Sequence, residues 1–93
     1  MIKSFHSKET GLLFDRNISR IFPEVIQRPA LRKLRMINRA GNLKDLTIPP
    51  GNRLEKLEGK RKGQYSVRIN DQWRICFEWK DNNAYEVEIT DYH

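Results

Sequence analysis

Over the last third of the chain, apolar and polar residues alternate with the two-residue period of a β-strand. Tyr65, Val67 and Ile69 fall on one side of residues 64–69, with Ser66 and Arg68 on the other. Trp73, Ile75, Phe77 and Trp79 likewise oppose Arg74, Cys76 and Glu78, and Tyr85, Val87 and Ile89 mark a last strand from Ala84 to about Thr90. Residues 54–57 predict a short strand, and the brief alternation of Met1–His6 predicts another at residues 2–5. Between them the period lengthens to that of a helix. Ser7 or Thr10 can cap a short helix over roughly residues 8–16, where Leu12, Leu13 and Phe14 supply apolar contacts. Pro23 and Glu24 suit the first turn of a second helix. Pro29 then either kinks that helix or opens a new one. From Ala30 onward, Leu31, Leu34, Ile37 and Asn38 share one face, Arg32, Lys33, Arg35 and Arg39 lie largely on the other, and Gly41 is a natural terminator. Residues 41–53, with Pro49-Pro50-Gly51-Asn52, predict a loop that packs through Leu43, Leu46 and Ile48 rather than a linker.

Strand register sharpens the picture, because a slip of one residue exchanges the two faces. A two-residue loop at Asn70-Asp71 would set Ile69 against Gln72 and mix the faces. A three-residue loop, Asn70–Gln72, instead pairs Ile69 with Trp73, Val67 with Ile75 and Tyr65 with Phe77. The same reasoning at Asp81–Asn83 pairs Trp79 with Tyr85, Phe77 with Val87 and Ile75 with Ile89. The apolar face then packs under the two helices. On the opposite face Arg68 meets Arg74, and Arg74 meets Thr90. Directly opposed arginines repel, so this pair suits an anion held between them, a phosphate above all. The alternatives are two solvated arginines, or arginines paired with Glu78 or Glu88. Regular alternation carries Tyr92 onto the arginine face and turns Asp91 and His93 away from it. A bend or bulge at Thr90–Asp91 would be needed to bring His93 across.

Composition changes the picture mainly through charge. The chain has 93 residues, 38% hydrophobic and 32% charged, which suits one small domain, residues 1–93, with a modest core. The net charge is +6. Residues 1–50 carry ten Lys/Arg against four Asp/Glu, residues 51–80 eight against four, and residues 81–93 none against four, so a basic body precedes an acidic last strand. That balance fits a polyanionic partner such as nucleic acid, or an acidic protein. No apolar run approaches the roughly 20 residues of a membrane span. The N-terminus also lacks the apolar stretch of a signal peptide, so cytoplasmic residence is expected. The single cysteine, Cys76, fits a structural position in mid-strand.

Familiar catalytic motifs are missing from the sequence. His6 and His93 have no ligand spacing for a metal, and neither a phosphate-cradling glycine loop nor a nucleophile elbow is present. One reaction needs none of these. RNA carries its own nucleophile, the 2′-hydroxyl, and its cleavage requires a base, an acid and positive charge on the scissile phosphate. Asp91, Tyr92, His93, Arg68, Arg74 and the turn Lys60-Arg61-Lys62 can supply these roles. Tyrosine titrates near 10 when free, so Tyr92 would act as a base only if neighbouring cations lowered its pKa.

The run PPGNRLEKLEGKRKGQYSVRINDQWRICFEW at 49–79, followed by VEITDYH at 87–93, resembles the HigB-type toxins of bacterial toxin–antitoxin systems, within the RelE/ParE superfamily. The segment ALRKLRMINRAGNLKDL at 30–46 matches more loosely. The resemblance implies an α/β (α+β) RelE-like domain, with two N-terminal helices on one face of a mostly antiparallel, twisted sheet of four to five strands. It implies a ribosome-dependent mRNA endonuclease without metal or other cofactor. It also implies a helix-turn-helix antitoxin of the HigA type as partner, and operator DNA reached only through that antitoxin. Its catalytic residues carry over to Asp91, Tyr92, His93 and Arg74, with Arg68 on the phosphate. Some members have histidine where this chain has Glu55, which leaves charge there to Lys56 or to Lys60, Arg61 and Lys62. ParE-type relatives act on gyrase, so a growth inhibitor that binds the ribosome or a topoisomerase without cutting RNA is the alternative.

Overall fold

The computed structural model describes residues 1–92. Helix α1, Lys8–Phe14, starts where the Ser7 side chain accepts the N–H of Thr10 at 3.2 Å, and it stops two residues short of the expected end. Helix α2 runs unbroken over Glu24–Arg39 with Pro29 inside it. Proline frees the carbonyl four residues earlier, and here that carbonyl belongs to Val25, on the exposed first turn where water can bind it. The helix buries Ile26, Ala30, Leu34 and Ile37, an i, i+4, i+8, i+11 stripe. Leu31 sits at its margin, and Asn38 accepts the N–H of Ile2 at 2.9 Å.

The expected loop contains two short 3-10 turns, Leu43–Thr47 and Pro50–Asn52. It is tied down by Leu46, which is buried, and by the side chain of Asn52. Asn52 donates to the carbonyls of Leu46 and Ile48 at 3.2 and 3.3 Å and accepts from Lys33 on α2.

Strands β1 (Glu55–Lys56), β2 (Gln64–Arg68), β3 (Trp73–Lys80) and β4 (Asn83–Asp91) form an antiparallel sheet in sequence order. The first hairpin has the expected register: Tyr65 faces Phe77, Val67 faces Ile75 and Arg68 faces Arg74. Its loop is held by the Asn70 side chain, which accepts the N–H groups of Gln72 and Trp73 at 2.9 and 2.8 Å.

The second hairpin corrects the expectation. Ile75 faces Ile89 and Arg74 faces Thr90 as anticipated, but Trp79 faces Ala84 and Glu78 faces Tyr85. The loop is only two residues, Asp81 and Asn82, with φ of 52° and 62°, as a type I′ turn requires. Glu86, with φ of 52°, is the extra residue of a bulge that restores the apolar register beyond it. Tyr85 therefore leaves the core face and Ala84 joins it.

The predicted first strand is reduced to two isolated parallel bridges along β4, Ile2 with Ala84 and Phe5 with Val87. The bulge interrupts the ladder between them, and the N–H of Glu86 goes instead to Ser4 Oγ at 2.9 Å. The core lies between the helices and one sheet face, with Val67, Ile75, Phe77, Ala84, Val87 and Ile89 packed on Leu13, Ile26, Leu34 and Ile37. The other sheet face carries no helix; Ser66, Arg74 and Cys76 are nevertheless buried on it. Among the described residues no helix is long and apolar enough to cross a membrane.

Candidate active site

Directly opposed strand partners point the same way, so the register places Glu55, Ser66, Arg68, Arg74, Cys76, Glu88 and Thr90 on the helix-free face. Regular alternation beyond Thr90 adds Tyr92, whose N–H reaches the Gln72 carbonyl at 2.7 Å.

Arg74 is the best-held charge on this face. It is 8% exposed. Its Nε donates to Ser66 Oγ at 2.8 Å, its Nη2 donates to the Arg53 carbonyl at 2.6 Å, and Glu55 stands 3.8 Å away. Arg53 presents that carbonyl from a left-handed backbone with φ of 44°, just after the Pro50–Asn52 turn. Arg68, directly across, turns outward to a fully exposed Asp71. The opposed arginines thus part company, one anchored inward and one paired at the loop, and neither uses Glu78 or Glu88. Burial, followed by the guanidiniums of Arg32 and Arg68, holds the pKa of Lys33 below its ordinary value.

Arg61 enters from the far side. It leaves a short turn, Gly59–Arg61, flanked by glycines with φ of 67° and 93°. Its Nη1 donates to Gln64 Oε1 at 3.0 Å and to Glu88 Oε1 on β4 at 2.8 Å. Its pKa is raised, chiefly by the bond to Glu88. Lys60 and Lys62, on either side, are exposed.

The Tyr92 ring lies 5.9 Å from the Arg74 guanidinium carbon, within cation–π range, and its hydroxyl is 3.8 Å from Cys76 Sγ. Burial and the contact with Cys76 push the Tyr92 pKa up, while Arg61 and Arg74 pull it down, and the upward causes prevail. The condition for a phenolate base is therefore not met in the protein alone, and the phenol is suited to donate a hydrogen bond or a proton. The Thr90 hydroxyl is out of solvent beside these groups and has no hydrogen-bond partner among the described residues.

The remaining sequence candidates are placed differently. β4 stays regular through Asp91, which faces Trp73 and accepts from Gln72 Nε2 at 3.1 Å. The bulge on this strand is at Glu86, not at Thr90–Asp91, so Asp91 lies on the face opposite Tyr92. His93 lies outside the described residues. Lys56 faces Tyr65 in the register, on the helix side of the sheet, and is exposed. Among the described residues no cluster of three His, Cys, Asp or Glu is placed to hold a metal ion. The fold brings together Arg61, Arg74 and Tyr92, with Arg68 at the margin.

Alternation already set Ser66, Cys76 and Thr90 on the arginine face, without a role there, and Glu88 entered only as an alternative partner of Arg68 or Arg74. The reach of Arg61 over β3 had no signal in the sequence.

Four similarities bear on this arrangement. Residues 3–93 match a family described as the RelE-like toxin of type II toxin–antitoxin system HigB. Over 65 residues the chain is 46% identical to Toxin HigB-1 of Vibrio cholerae serotype O1, covering 70% of this chain and 68% of that protein. It is 31% identical to Endoribonuclease HigB of Proteus vulgaris over 93 residues, 100% of both chains. A solved YoeB-YefM complex from Staphylococcus aureus has a chain of the same fold, with a TM-score of 0.62 at 19% identity, covering 100% of this chain and 98% of that one.

Proposed function

Because the chain belongs to the HigB-like family of type II toxin–antitoxin toxins, we propose that it is a cytoplasmic, ribosome-dependent endoribonuclease that cuts translated mRNA. The observation that carries this reading is the convergence of Arg74 and Arg61 on the half-exposed Tyr92 phenol, on the helix-free sheet face. Arg74 is preorganised by Ser66 and Arg53, so it meets a developing phosphorane charge without having to reorganise. Arg68 contacts a neighbouring phosphate by exchanging its exposed partner Asp71 for the RNA. Lys60, Lys62 and Lys56 add field along the backbone path. The 2′-hydroxyl is the nucleophile, and no metal or other cofactor takes part. Tyr92, protonated at neutral pH, hydrogen-bonds the phosphate or the leaving 5′-oxygen, and His93 completes the proton transfers, while Asp91, on the other face, steadies the strand end through Gln72. The Proteus vulgaris relative is named an endoribonuclease, which supports the same reaction here.

The test is a ribosome-bound mRNA carrying a single 2′-deoxynucleotide at the cut position. Cleavage of the ribose message, with a 2′,3′-cyclic phosphate end, and its loss at the deoxy position are expected. Growth arrest with intact messages would favour the alternative, an inhibitor that binds the ribosome or a topoisomerase without cutting.

The partner is a helix-turn-helix antitoxin of the HigA type, which carries the toxin to operator DNA. The solved YoeB-YefM complexes show a toxin of this fold bound to its antitoxin. Ile18, Ile21 and Val25 form an exposed apolar patch beside a hollow lined by Phe22, Gln27 and Arg28. Arg28 and Glu24 line that hollow, and Arg16 and Arg35 line the adjoining one, so the surround is net basic. An apolar centre with a basic rim suits an acidic amphipathic segment of the antitoxin, whereas RNA backbone would leave the apolar residues uncovered.

A further inference from the structure

An acidic side chain at the centre of a face that must receive RNA phosphate is a contradiction unless it does something for the cations there. Glu88 is that side chain. It faces Cys76 in the register, and its side chain is 19% exposed. Arg74 does not need it, being satisfied by Ser66 and Arg53. Its close partner is Arg61, 27 positions away in the chain, at 2.8 Å. Arg61 springs from an exposed turn between the exposed Lys60 and Lys62, yet it is itself only half-exposed. Glu88 and Gln64 both take Arg61 through Nη1. Among the described residues, Nε and Nη2 of Arg61 donate to no protein acceptor, which leaves an edge of the guanidinium for a ligand.

We propose that Glu88 is a positioning residue: it draws Arg61 across the sheet above Cys76, so that the guanidinium meets the scissile phosphate beside Tyr92. The inference rests on the nuclease reading and adds a role to it. A second contact belongs to the same carboxylate. His6, on the N-terminal segment, has Nε2 4.0 Å from Glu88 Oε2 and Nδ1 4.0 Å from Glu86 Oε1. His6 is solvent-exposed and more distant, so Arg61 holds the stronger claim on Glu88.

Two ideas about Glu88 predict opposite outcomes. As a bare negative charge it repels RNA, and Glu88→Gln would speed cleavage. As a positioning residue it is needed, and Glu88→Gln lowers kcat between about tenfold and a hundredfold while leaving KM nearly unchanged. In an Arg61→Ala background the same change has no further effect, because both act through one guanidinium. A readout separate from activity is the Arg61 guanidinium itself, followed by 15N NMR and assigned with Arg61→Ala: held by Glu88 its Nη groups rotate slowly in the wild type, and they should rotate freely in Glu88→Gln. Unchanged or faster cleavage by Glu88→Gln, or an Arg61 guanidinium as restricted in Glu88→Gln as in the wild type, overturns the proposal. A wild-type protein that cuts no RNA overturns the nuclease reading itself, whereas a wild type that cuts alongside a fully active Glu88→Gln overturns only the role of Glu88.

Discussion

Arg68 and Arg74 show how far a register argument reaches at the scale of single residues. Alternation and the odd-length loop put the two guanidiniums opposite each other, and so they are. What each does with its charge was not legible, because it depends on Ser66, on a carbonyl offered by the left-handed Arg53, and on Asp71 in the loop. The consequence is a difference in stability. Arg74→Ala leaves the buried Ser66 hydroxyl and the Arg53 carbonyl without their charged partner, which should cost about 2–3 kcal/mol in urea unfolding. Arg68→Ala breaks an exposed pair and should cost less than about 1 kcal/mol. Loss of activity in the first variant therefore needs a folding control, and loss in the second does not.

Tyr92 makes a second residue-scale prediction. Its folded pKa is raised above the ordinary value near 10, so the neutral phenol favours the fold. That contribution is fully present below about pH 10 and disappears as pH rises through the higher folded value. Denaturant midpoints measured from pH 8 upward should fall on the alkaline side in the wild type and fall less steeply in Tyr92→Phe. Equal slopes would show that burial does not oppose ionisation of this phenol.

The elements of the fold were legible where hydrophobic period was the only signal needed, and obscured where two irregularities offset each other. For the second hairpin, the chain was expected to keep its apolar face by a three-residue loop. It does so instead by a two-residue loop plus a bulge at Glu86, a combination with the same net register from Val87 onward. Only Ala84 and Tyr85, between the two irregularities, reveal the difference. Asp81 and Asn82 both tolerate positive φ, which made the type I′ turn available; the positive φ at Glu86 had no such warning. The turn can be improved. Asn82→Gly removes the residual cost of a left-handed conformation and should stabilise the protein by about 0.5–1 kcal/mol in urea, with the site unaffected. A destabilised Asn82→Gly would show that the Asn82 side chain supports the hairpin in some other way.

Across the whole molecule, charge is sorted by the fold rather than by the sequence blocks in which it first appeared. The acidic last strand looked like a separate feature, yet Glu88 is spent on Arg61 of the basic turn, and Glu86 on Ser4 of the N-terminal segment. What remains is a helix-free face with inward-anchored cations and, at the first turn of α2, an apolar patch with a net basic surround. The exposures of Ile18 at 89% and Val25 at 78% mean that neither side chain contributes to the core. Replacing both by aspartate should therefore leave the unfolding midpoint nearly unchanged. If an acidic amphipathic segment of the antitoxin covers this patch, the double variant loses apolar contact and gains like-charge repulsion together. Its affinity for the antitoxin should fall by at least about a hundredfold, equivalent to roughly 2.7 kcal/mol. Isothermal titration against the antitoxin gives the affinity, and cleavage of ribosome-bound mRNA by the unneutralised variant gives the control. Undiminished antitoxin binding would move the docking surface elsewhere. Loss of binding and cleavage together would place the patch and the arginine face under one partner instead of two.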